Sequence, residues 1–108
     1  MKVADMHCDT ISELFHARER GEQVSILENH LHMDLKRMQK GDYLLQNFAM
    51  FVHLGKTEDP FHYAMQLVDL FYNELEPYSD RIGIVKRWED IEENQKAGKM
   101  SAMLTLEE

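Results

Sequence analysis

Short apolar stretches alternate along the chain with segments of helical spacing. Val3 to His7 is brief and partly apolar and leads directly into Asp9-Thr10, the pattern of a buried strand feeding a helix. Thr10 and Glu13 have the spacing of a capping box, Ile11, Leu14 and Phe15 share one helical face, and Gly21 supplies a stop. Glu22 to Met33 shows no period; Asp34 then offers a cap for a short helix with Leu35 and Met38 inward and Gly41 at its end. Tyr43 to Val52, interrupted only by Gln46 and Asn47, suits a second strand covered on both faces. Asp59-Pro60 places an N-cap and a first-turn proline before Phe61, Ala64, Met65, Val68, Phe71, Tyr72 and Leu75, which predicts an amphipathic helix ending near Pro77. Ile82 to Val85 reads as a short extended piece, Glu89 to Ala97 as a polar helix closed by Gly98, and Met100 to Leu106 as the third strand.

This order is that of α/β units with parallel strands. Parallel sheets are normally covered on both faces and protected at their edges, so about three such strands read as part of a larger sheet, and the sequence as cut short. With 108 residues, 44% of them hydrophobic, and no linker or repeat, residues 1–108 are expected to belong to one domain. The formal charge of −8 argues against nucleic acid or anionic lipid as a partner, since both demand a local surplus of Lys and Arg. The start of the chain has no apolar core of secretory length, and no stretch approaches the roughly 20 apolar residues of a membrane span, so no membrane contact and a cytoplasmic location are expected. The single cysteine, Cys8, forms no internal disulfide, in keeping with a reducing compartment.

The chemistry concentrates at strand ends. His7 and Asp9 lie two apart, so in extended backbone both side chains point the same way, and imidazole and carboxylate are zinc-type ligands. Glu107 and Glu108 follow the third strand, and in barrel enzymes catalytic groups collect at the C-terminal strand ends. Spacing alone favours a blander alternative, a solvated turn in which Asp9 helps to cap the helix, because His-x-Asp is common by chance. It also does not choose between Glu107 and Glu108, which face opposite ways on a strand. His16, His30, His32, His53 and His62 read as ordinary imidazoles, and Cys8 as a small buried residue behind the site. Met38, Met50, Met65 and Met103 read as core, and Glu89, Asp90, Glu92 and Glu93 as a solvated helix face.

Three wider strings alter that balance. Asp5-Met6-His7-Cys8-Asp9-Thr10 resembles the first metal-binding segment of the membrane (renal) dipeptidase family of zinc metallopeptidases. Asp34-Leu35-Lys36-Arg37-Met38 with Gly41 and Gln46-Asn47-Phe48 is similar to that family's approach to its second strand, and Gly98 to Glu107 to the stretch that delivers its metal-bridging glutamate. The resemblance implies the N-terminal part of a (β/α)8 barrel of the TIM type, with two zinc ions in the complete enzyme. It implies hydrolysis of dipeptides through a metal-activated bridging water, with His7 and Asp9 on one zinc and Glu107, also the catalytic group, bridging both. The alignment leaves Glu108 outside the site, and the family's further histidines, substrate-binding arginine and catalytic aspartate have no counterparts in these 108 residues, so this chain alone is expected to be inactive. Homodimer assembly of the complete enzyme is left open. Competing functions are another metal-dependent barrel amidohydrolase or phosphoesterase, which usually opens with His-x-His, and a non-catalytic α/β interaction fragment.

Overall fold

The computed structural model describes residues 1–108. Its strands are β1 (Val3–Asp5), β2 (Tyr43–Phe51), β3 (Ile82–Ile84) and β4 (Met100–Glu107), and its helices α1 (Thr10–Glu19), α2 (Leu35–Lys40), α3 (Pro60–Leu75) and α4 (Trp88–Lys96). The strands form one wholly parallel sheet in the order β1-β2-β4-β3. The short extended piece expected at Ile82 to Val85 is thus a strand of the sheet, Ile82–Ile84, which brings the number of strands to four. Three residues carry too little pattern to announce a strand; pairing with Met100–Ala102 of β4 makes it one.

Alternation along β2 separates two faces. Gln46, Phe48 and Met50 are wholly buried on the helix side, where Phe48 meets Phe71 of α3 with ring centroids 5.6 Å apart. On the other face Leu45 and Asn47 are half-buried, Ala49 is wholly buried and Phe51 is exposed, so within this chain the cover of that face is partial. The core joins Ile11 and Leu14 of α1, Leu35 and Met38 of α2, and Leu67, Phe71 and Leu75 of α3.

Several local expectations shift by part of a turn. The buried stripe of α3 is Ala64, Leu67, Phe71 and Leu75, whereas Phe61, Met65 and Tyr72 are exposed. Both stripes are apolar at helical spacing, and the one that finds β2 and α1 to pack against is buried. The capping box assigned to Thr10 and Glu13 does not form, because Thr10 already lies inside α1 and Asp9 holds the N-cap position. A box forms instead at α4, where Asp90 accepts from the Arg87 backbone N–H at 3.0 Å. Gly21 and Gly98 take the positive φ of 81° and 75° that ends α1 and α4 cheaply. No helix is long and apolar enough to cross a membrane.

The segment without a period, Glu22 to Met33, is held by side chains rather than by regular structure. Glu74 of α3 accepts from Ile26 N–H at 2.9 Å and from Arg18 Nη2 at 2.7 Å. Asp34, buried at the start of α2, accepts from the backbone N–H groups of Arg37 at 2.8 Å and Asn29 at 3.0 Å, and from Arg37 Nε at 2.9 Å. Burial alone would raise the Asp34 carboxyl, but these donors outweigh it and hold the group below its ordinary value of 3.8. A depressed folded pKa stabilises the fold above the unfolded value, and that contribution is lost as pH falls through the folded one. Asp34→Ala should therefore cost about 2–3 kcal/mol near neutral pH, from a lost cap and stranded donors. The difference in urea midpoint from the parent should narrow only below pH 3.8. A gap unchanged down to pH 2 would show that the charge on Asp34 does not matter.

Candidate metal centre

β1 ends at Asp5, so His7 and Asp9 are not strand residues, and extended alternation is not what aims them alike. The chain leaves β1 still tied to the sheet, since Ala49 N–H donates to the Cys8 carbonyl at 3.0 Å. Cys8 turns into the core, where burial pushes its thiol up. Asp9 then starts α1 through its backbone, its carbonyl accepting from Glu13 N–H at 3.0 Å, while its side chain makes no capping hydrogen bond. The carboxylate is thereby free to face His7, with Asp9 Oδ1 3.3 Å from His7 Nε2.

Glu107 closes β4 opposite Phe51 of β2, and its carbonyl accepts from Val52 N–H at 3.0 Å. Its Oε1 lies 3.6 Å from His7 Nδ1. One ligand atom from each of His7, Asp9 and Glu107 falls within 4.8 Å of the others, all three being exposed. The hydrogen bond to Asp9 raises the His7 pKa above 6.5; slight desolvation opposes it, and the charges of Asp9, Glu107 and Asp5 add to it.

An imidazole and two carboxylates suit a divalent cation of the zinc type. The 3.3 and 3.6 Å separations run to opposite nitrogens of the ring, only one of which can bind a given cation, so it is the mutual spacing of one donor atom per residue, within 4.8 Å, that allows all three to reach one ion. The residues fit such an ion while offering one donor fewer than a closed four-ligand site. Glu108 stays outside the cluster and borders a groove with Phe51, His53, Leu54 and Gly55. His16, His30, His32, His53 and His62 stay outside it as well. The sequence did not reveal that His16 and His53 share a separate pocket beside the cluster, because helix α1 and the segment after β2 are far apart in the chain.

A parallel α/β sheet bearing an imidazole and two carboxylates at the C-terminal ends of its strands has the layout of a metal-binding α/β protein. The chain matches the membrane dipeptidase family (peptidase family M19) over residues 1–108 and belongs to it. In fold it is similar to dipeptidase AC, a family M19 metallopeptidase, with a TM-score of 0.79 at 18% identity over 98% of this chain and 35% of that one. It is also similar to a metallopeptidase from Rhodobacter sphaeroides liganded with a phosphinate mimic of the dipeptide L-Ala-D-Ala, with a TM-score of 0.74 at 14% identity over 96% of this chain and 38% of that one. The chain thus spans little more than a third of the length of these two relatives. No curated protein matches it.

Proposed function

We propose that these residues form the N-terminal part of a zinc-dependent dipeptidase built on a (β/α)8 barrel, with His7 and Asp9 on one zinc ion and Glu107 shared between two. One observation carries this assignment: an imidazole and two carboxylates, from the segment after β1 and from the end of β4 on the far side of β2, converge in a chain that belongs to the membrane dipeptidase family. A dipeptide as substrate is supported by the phosphinate dipeptide mimic bound to the Rhodobacter sphaeroides relative. When bound, zinc supplies Lewis acidity, lowering the pKa of a water and polarising a peptide carbonyl.

The chain's own part in this is positional. Asp9 and Glu107 flank the His7 ring on its two nitrogens, so a cation would take the place of the proton at one nitrogen while the carboxylate at the other holds the ring. Glu107 is the catalytic group on this assignment, because its two oxygens let one carboxylate reach two cations from the end of β4. The remaining donors are assigned to parts of the barrel that these residues do not supply. Four strands do not close an eight-stranded barrel, so the 108-residue chain alone should bind zinc but not turn over dipeptides.

A pair of substitutions tests the bridge. Glu107→Gln keeps shape but removes the charge, and it should weaken zinc binding by about tenfold or more. Glu108→Gln should change it by less than about twofold, since an exposed carboxylate outside the cluster contributes little through water. Competition against a chromophoric chelator reads both, and the reverse order of damage would remove Glu107 from the site.

A further inference from the structure

The sheet lets go of the chain just where the cluster begins. Asp5 is the last residue of β1 and pairs with Gln46 of β2, and the next backbone tie to that strand is at Cys8, whose carbonyl accepts from Ala49 N–H at 3.0 Å. Met6 and His7 span the gap, and neither takes part in a backbone–backbone hydrogen bond. A ligand carried on an unpaired link needs some other hold, since a metal site tolerates an error of only about 0.5 Å in the placing of its donors.

Two side chains reach into the gap. The Met6 sulfur meets the Asn47 amide nitrogen at 3.8 Å, and a thioether is a weak acceptor. Asp5 Oδ1 accepts from the His7 backbone N–H at 3.3 Å. A carboxylate one carbon from the backbone reaches the N–H two residues on, a turn that Asp and Asn make and that the longer Glu does not. Asp5 stays outside the group formed by His7, Asp9 and Glu107. Among the influences that raise the His7 pKa, the hydrogen bond to Asp9 comes first and the charge of Asp5 last. Asp5 therefore acts on His7 through the backbone more than through its charge.

We propose that Asp5 is a positioning residue of the metal centre, holding His7 in place through the His7 backbone N–H without itself binding the cation; its part in zinc binding rests on the proposed dipeptidase function. The test uses the 108-residue chain in about 0.15 M salt, so that long-range effects of a lost charge are screened. Amide exchange is followed by NMR on the metal-free chain. At His7 it should quicken about threefold to tenfold in Asp5→Ala and in Asp5→Glu, the worth of one hydrogen bond, and stay within about twofold of the parent in Asp5→Asn. Zinc affinity, read by competition with a chromophoric chelator, should fall about tenfold in the first two variants, the low end for a group that orients a ligand, and hold in the third. Lys2→Ala, which removes the 2.6 Å hydrogen bond to Asp42 just before β1, should change neither reading. The same spectra report whether each variant is folded. No effect of Asp5→Ala, equal losses in Asp5→Asn and Asp5→Ala, full retention in Asp5→Glu, or equal weakening by Lys2→Ala would each overturn the proposal. A parent chain that takes up no zinc would count against the dipeptidase assignment, whereas exchange at His7 is measured without metal and decides the role of Asp5 on its own.

Discussion

Changing His7 to alanine is expected to weaken zinc binding by at least about 100-fold while leaving the fold intact. Loss of a group that merely orients a ligand typically costs 10–100-fold in metal affinity, and loss of the ligand itself should exceed that. His7 also separates Asp9 from Glu107, approaching them at 3.3 and 3.6 Å, so its removal leaves two carboxylates facing each other with no nitrogen between them. The side chain is half exposed and belongs to no core cluster, so circular dichroism and the unfolding midpoint of the metal-free chain should barely move. On the proposed dipeptidase assignment, the same change in the full-length protein should abolish dipeptide hydrolysis. Unaltered zinc stoichiometry and affinity would remove His7 from the site.

Phe71→Ala is expected to have the largest effect on stability, about 3–5 kcal/mol, the cost of deleting a buried aromatic ring and leaving a cavity. Phe71 is wholly buried in the middle of α3, stacked at a tilt on Phe48 of β2 and edge-on to Tyr72. A domain of this size has roughly 5–15 kcal/mol in total, so the loss is a large share of it. Urea denaturation should show a much lower midpoint with a similar slope. Tyr72→Ala, one position away on the exposed side, should cost less than about 1 kcal/mol. Equal losses at the two positions would mean that α3 does not pack as described.

The signals that were legible in the sequence are those that act within a few residues. Asp34 before Leu35, and Asp59-Pro60 before Phe61, cap helices that begin where those residues place them. The long strands β2 and β4 were legible because a nearly continuous apolar run of eight or nine residues is too short for a buried helix and fits a buried strand. What could not be read depended on partners distant in the chain. Ile82–Ile84 becomes a strand through β4, and α3 chooses between two apolar stripes according to what lies beneath it. His7 and Asp9 stood out by residue type and position, Glu107 was separated from Glu108 only by the family resemblance, and the means of aiming the three could not be read. Extended alternation was the expectation; instead β1 stops at Asp5, and Asp9 enters α1 by its backbone with its carboxylate left free. The irregular segment before α2 owes its shape to Glu74, 48 residues beyond Ile26, which no local pattern records.

β2 donates nothing to the metal cluster, yet both halves of the cluster hang from it, Cys8 through Ala49 N–H and Glu107 through Val52 N–H. The strand acts as a measuring rod between them. Inserting or deleting one residue between Ala49 and Val52 would slide Glu107 by about 3.3 Å relative to His7 and turn it to the other face of the sheet. Length changes should thus be prohibited in a strand without chemistry of its own. For anyone recombining this chain with relatives, crossovers do not belong in β2.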